Sequence, residues 1–132
     1  MYLIDTNVFL EVLLERENYS DCKDFLEKVQ NGDVTAYQTV FSLHTIAIIL
    51  ERLLGLDAYK EFLETVLNFE GISFYSTNPQ DEVEVCEAAK EQGLDFDDAL
   101  HYHICKKFDL KLVSLDRDFD KTDIKRVAPG DV

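Results

Sequence analysis

The chain is poor in cysteine, and the three it has, Cys22, Cys86 and Cys105, are widely spaced and odd in number. Without a C-x-x-C pair, neither a zinc ribbon nor a disulfide scaffold fits. Reduced thiols in a cytoplasmic protein are expected instead. Long apolar runs are also missing. No uninterrupted stretch approaches the roughly 20 residues that cross a bilayer, so no membrane association is expected. Met1 to Leu14 has no basic start and is broken by Asp5 and Glu11, so it does not read as a secretory signal. Positive charge is the third scarcity: 13 Lys and Arg stand against 27 Asp and Glu, a net charge of −14. This argues against a general nucleic-acid-coating protein, because phosphate contacts need Lys and Arg. It suits a solvated surface, or one that holds a basic partner protein. Lys106, Lys107, Lys111, Arg117, Lys121, Lys125 and Arg126 all lie beyond residue 100, so a local basic rim beside an acidic pocket is compatible with the balance. Repeats, linkers and low-complexity tracts are absent. The 132 residues, 46% hydrophobic, read as one domain, residues 1–132, with a substantial core.

What is present is an alternation of strand-length apolar runs with helical periods. Tyr2-Leu3-Ile4 reads as a buried strand, followed by a short helix carrying Val8, Leu10, Val12, Leu13 and Leu14, capped by Thr6 or Asn7. Tyr19 to Gln30 is a second helix, stopped by Asn31-Gly32. Val34 to Tyr37 is the second strand, and Phe41 to Leu54 a deeply packed helix ended by Gly55. A fourth helix carries Ala58, Phe62, Leu63, Val66 and Leu67, and Ile72 to Tyr75 is the third strand. Pro79 suits the first turn of a helix that runs to Gly93. Helix Asp95 to Lys107, strand Lys111 to Leu115 and a short strand Lys125 to Val127 complete the chain. Phe9, Phe25, Phe41, Phe62 and Phe74 are expected in the core. Strands separated by helices imply right-handed crossovers, a central parallel sheet and a three-layer α/β/α sandwich. In such sheets the functional crevice lies at the carboxyl ends of the strands.

Three acidic segments fall at such ends or at a helix start: Asp5-Thr6-Asn7, Asp95-Phe96-Asp97-Asp98 and Asp116-Arg117-Asp118. Brought together, their carboxylates would repel one another unless a cation sat among them. Carboxylates are hard oxygen ligands suited to Mg²⁺ or Mn²⁺, and such an ion supports phosphodiester hydrolysis. Each acid also has a local use. Asp5 could cap a helix or form a turn, Asp95 is placed as an N-cap with Asp98 three residues on, and Asp116 or Asp118 could open a turn. Asp97 reads as solvent-facing. His101, three residues from Asp98, could reach the pocket rim, although a polar-face or core position serves a histidine equally.

The motifs resemble those of the PIN-domain family, nucleases that include toxins of type II toxin–antitoxin systems. Leu3-Ile4-Asp5-Thr6-Asn7-Val8 resembles the family's first motif, Asp98-Ala99 its third, and Ser114-Leu115-Asp116-Arg117-Asp118-Phe119 its fourth. The resemblance implies a PIN-like fold with Asp5, Asp98 and Asp116 as catalytic, metal-binding carboxylates. Asp118 would be auxiliary, and Asn7 or Thr6 would orient Asp5 or contact water. It further implies Mg²⁺ or Mn²⁺, cleavage of single-stranded RNA, an antitoxin partner and a homodimer. The sequence departs from the family at the second motif, where Thr45 stands in place of the usual Glu; the neighbouring His44 could substitute as a ligand or phosphate contact. Two alternatives remain beside this reading: a PIN-like module that binds RNA or a protein without turnover, and an unrelated α/β family with an acidic pocket, such as a phosphatase or receiver domain.

Overall fold

The computed structural model describes residues 1–132. Five strands, β1 (Tyr2–Ile4), β2 (Ala36–Thr39), β3 (Ile72–Tyr75), β4 (Lys111–Val113) and β5 (Arg126–Val127), form one sheet in the order β3-β2-β1-β4-β5. Every pairing is parallel. The chain moves outward from β1 through β2 to β3, then crosses back to place β4 and β5 on the other side of β1. The boundary between β1 and β4 is therefore the topological switch point, where loops leaving adjacent strands diverge and open a crevice.

Side chains alternate across the pleat, so each central strand feeds both faces. Ile4 and Val113 join a cluster with α1 (Thr6–Leu13), α2 (Tyr19–Gln30), α3 (Val40–Leu53) and α4 (Leu56–Val66), through residues such as Val8, Phe25, Leu50 and Phe62. Leu3 and Leu112 turn the other way, onto α5 (Pro79–Gln92) and α6 (Phe96–Phe108), where Val85, Leu100 and Ile104 are buried. Burial on both faces explains why the central strands are apolar without alternation. The three-layer α/β/α sandwich expected from the sequence is the observed architecture. No helix is long and apolar enough to cross a membrane.

Several local expectations give way. β2 begins two residues later than the apolar run suggests. The N–H of Val34 donates to the Lys28 carbonyl and finishes the α2 terminus, and pairing with the sheet starts at Ala36. α1 starts at Thr6, with Asp5 rather than Thr6 or Asn7 at the cap position. α3 is only half sunk: Ser42, Ile46 and Leu50 are buried, whereas Ile48 is 61% exposed. Phe9, Phe25 and Phe62 lie in the core, Phe41 is partly buried, and Phe74, on edge strand β3, is 39% exposed.

Two features hold the β3–α5 corner. Gly71 leads into β3 so close to the α2–β2 turn that a Cβ there would lie 2.2 Å from the Val34 carbonyl oxygen. Asn78 and Asp81 form a reciprocal capping box at the start of α5, with Pro79 at its first position. The buried Asp81 carboxylate also accepts hydrogen bonds from Tyr75 Oη (2.6 Å) and Lys107 Nζ (2.7 Å), and lies 3.0 Å from His103 Nε2. It thereby ties β3, α5 and α6 together. Burial raises its pKa, but those hydrogen bonds prevail and hold it well below the usual carboxylate range.

Candidate active site

Asp5 follows the last residue of β1 and is 5% exposed. Its carboxylate makes no cap bond to α1 because it is turned toward β4. Oδ2 accepts a 2.6 Å hydrogen bond from Ser114 Oγ and a 3.2 Å bond from Asn7 Nδ2. Ser114 Oγ in turn accepts the backbone N–H of Asp116 at 3.0 Å. One buried hydroxyl thus joins the first and third acidic segments across the switch point. Asn7 reinforces the joint: its Oδ1 accepts the N–H of Leu115, and its Nδ2 also reaches Ser114 Oγ. Thr6 has another task. Its hydroxyl donates to Ser42 Oγ at 2.9 Å, pinning α1 to α3.

The second segment enters from α6. Asp95 caps this helix by accepting the N–H of Asp98 at 2.9 Å. The reciprocal half of a capping box is not formed, and the half-buried Asp98 side chain is left to the cluster. Burial pushes its carboxyl up to about 7, and the charges of Asp95, Asp116, Asp5 and Asp97 add to the shift. Asp116 caps the 3-10 turn Arg117–Lys121 by accepting the N–H of Asp118, while Asp118 itself is exposed.

Asp97 is the main departure at this site. It is half-buried rather than solvent-facing, and its Oδ1 lies 3.2 Å from His101 Nδ1. His101 is fully buried; Nδ1 is 2.9 Å from the Asp97 carbonyl oxygen, and Nε2 faces Asp5 Oδ1 at 3.8 Å. Burial lowers the imidazole pKa, but Asp5 and Asp97 outweigh it and lift the pKa to about 9. A pairing signal existed in the sequence, since residues four apart share a helix face and Asp97 and His101 have that spacing.

Asp5, Asp97 and His101 each offer a ligand atom within 4.8 Å of the other two, which the set Asp5, Asp98 and Asp116 does not. Asp98 and Asp116 surround that core as charges rather than completing a closed ligand set. A second group, Asp81, Glu84 and His103, has similar spacing, but Lys107 already occupies its central carboxylate. His44 is exposed, and Thr45 turns its hydroxyl back to the Phe41 carbonyl at 3.0 Å. Neither enters a ligand group, so α3 supplies no carboxylate where the family's usual Glu would stand. The donor set nonetheless suits a divalent ion: it is rich in carboxylate oxygen, and it contains two buried polar atoms, His101 Nε2 and Asp97 Oδ1, without hydrogen-bond partners.

Comparison with solved structures places this geometry among related folds. The sarcin–ricin-loop-cleaving toxin VapC20 of Mycobacterium tuberculosis superposes with a TM-score of 0.79 at 16% identity, covering 98% of this chain and 100% of that one. A toxin–antitoxin complex from Klebsiella pneumoniae gives 0.73 at 15% identity, with both chains covered in full. VapBC2 of Rickettsia felis, solved on a promoter DNA fragment, gives 0.73 at 13% identity, covering 96% of this chain and 97% of that one. No curated protein matches the sequence significantly. The family described as "PIN domain" matches residues 2–125. Because that match runs through all three acidic segments and four of the five strands, the chain belongs to the PIN-domain family.

Proposed function

We propose that the protein is a metal-dependent endoribonuclease that hydrolyses phosphodiester bonds in single-stranded RNA, and that it is the toxin of a toxin–antitoxin pair. The observation that carries this reading is the acidic crevice at the switch point, where burial, with the charges of Asp95, Asp116, Asp5 and Asp97 adding to it, pushes the Asp98 carboxyl up to about 7. A crevice that concentrates carboxylates suits a cation. Asp5, Asp98 and Asp116 would hold Mg²⁺ or Mn²⁺, with Asp118 at the margin. When bound, the ion would polarise the phosphoryl oxygen and offset the charge that develops in the transition state. Ser114 and Asn7 keep Asp5 in one orientation by hydrogen-bonding Oδ2, so its other oxygen is presented without rotational freedom. Arg117 and Lys121, exposed on the turn after Asp116 and free of ion pairs, are placed to receive backbone phosphates.

The reading is tested with Asp5→Asn, which should abolish Mn²⁺-dependent cleavage of single-stranded RNA. Absence of divalent-ion binding by the wild-type protein in calorimetry would overturn it. Thr45 favours a second reading, a site weakened by its missing carboxylate and used for binding. Robust turnover that vanishes in both Asp98→Asn and Asp116→Asn would exclude that alternative.

An antitoxin helix would fit the apolar groove between α1, α2, α3 and α4. It has a volume of about 450 Å³ and is lined by Phe9, Val12, Leu26, Leu50 and Phe62. For the homodimer, the exposed Leu53, Leu54 and Leu56 at the α3–α4 corner offer an apolar patch. Sedimentation of the free protein measures that association.

A further inference from the structure

We propose that His101 supplies a nitrogen ligand beside Asp5 Oδ1 and Asp97 Oδ1, so that the site takes Mn²⁺ in preference to Mg²⁺. The proposal rests on the reading of this crevice as a metal centre and assigns to it a donor outside the expected carboxylates.

Three observations support it. Asp5 Oδ2 is occupied by Ser114 and Asn7, which leaves Oδ1 as the oxygen facing the imidazole. The Nδ1 of His101 lies 2.9 Å from the Asp97 carbonyl oxygen, a contact that requires the proton on Nδ1. With Nδ1–H held there, Nε2 is the nitrogen whose proton a bound ion would displace, which is the arrangement of a metal-ligating histidine held by a backbone carbonyl. Finally, Nε2 is fully buried and lacks a hydrogen-bond partner. Native proteins rarely leave such atoms unsatisfied without a use.

The spacing suits a shared ion. Two ligands about 2.1 Å from one ion stand roughly 3.0 Å apart when adjacent and roughly 4.2 Å apart when opposite. The 3.8 Å between Nε2 and Asp5 Oδ1 lies inside that interval. The same distance is too long for a direct hydrogen bond, so a simple buried ion pair would leave both groups desolvated without a close contact. Imidazole is a borderline donor that suits first-row transition ions, whereas Mg²⁺ favours oxygen ligands.

Pulsed electron paramagnetic resonance of the Mn²⁺-loaded full chain, with Mn²⁺ and Mg²⁺ calorimetry, tests the assignment. The wild type should show coupling to a directly bound ¹⁴N and a preference for Mn²⁺ of about tenfold or more. His101→Gln should lose the coupling and weaken Mn²⁺ binding by about tenfold. Asp97→Asn should weaken binding yet keep the coupling. Mn²⁺ bound by the wild type without ¹⁴N coupling would overturn the nitrogen ligand and leave the metal centre standing. Coupling that survives in His101→Gln would also overturn it. Failure to bind Mn²⁺ at all would remove both readings.

Discussion

Replacing Asp98 by Asn should stabilise the metal-free protein while destroying its affinity for the ion. In the folded chain the Asp98 carboxyl is pushed up to about 7 by burial and by Asp95, Asp116, Asp5 and Asp97. In the unfolded chain it titrates near 3.9. Between those values the folded state holds a proton that the unfolded state has released, so stability falls as pH rises through that window. A rise of about three units corresponds to about 4 kcal/mol. Solvent reaches this half-buried group, so screening reduces the penalty to about 2 kcal/mol above pH 7. Asn has nearly the same shape and carries no charge. Urea denaturation in chelator at pH 8 should therefore find Asp98→Asn more stable by about 1–2 kcal/mol, with the gap shrinking to about 0.5 kcal/mol at pH 4. Adding Mn²⁺ should reverse the order, since ion at 100 times its Kd stabilises a binding-competent chain by about 2.7 kcal/mol and the variant receives little of it. If Asp98→Asn is no more stable than wild type at pH 8 in chelator, the carboxylates do not repel one another and the reasoning fails.

Ser114→Ala removes the hydroxyl that joins Asp5 to Asp116; Mn²⁺ affinity should drop about tenfold by calorimetry, with a stability loss of about 1–2 kcal/mol. Asp81→Ala should cost about 3 kcal/mol in urea titrations, because the capping N–H of Asn78, Tyr75 and Lys107 lose a buried partner together. Asp81 is held well below the ordinary carboxylate range, so its contribution is present above about pH 4 and lost as pH falls; Asp81→Asn should flatten the acid limb of the stability profile. Gly71→Ala should cost about 1–3 kcal/mol, since the new methyl meets the Val34 carbonyl and the turn must move. A thermal midpoint unchanged by Gly71→Ala would show that the turn yields freely.

Local periodicity carried some elements completely. Cys22, Phe25, Leu26 and Val29 mark the buried stripe of α2, and Asn31-Gly32 its end, so the helix could be bounded at Tyr19–Gln30 from sequence alone. The start of β2 could not, because it depends on which residue meets Ile72 across the sheet, a pairing absent from the local pattern. At the site, the position of Asp5 was legible because it directly follows the apolar strand β1, whereas β4 ends at Val113 and leaves Asp116 three residues beyond it. The separate roles of Asp97 and Asp98 were not, since they depend on the phase of α6. That phase is set by burial of Ala99, Leu100 and Ile104, and it turns the Asp97–His101 pair toward Asp5. The Asn78–Asp81 box went unread because its second partner is an Asp where Glu or Gln is the usual signal.

The bond from Ser114 to Asp5 spans 109 positions of the chain. The two halves of the crevice can meet only once the chain has been made through Ser114, so a product that stops before β4 carries Asp5 without the hydroxyl that fixes it. The bond also marks where the molecule can be divided: a cut between α5 and α6 separates Asp5 from the other two acidic segments, and neither piece alone should bind the ion.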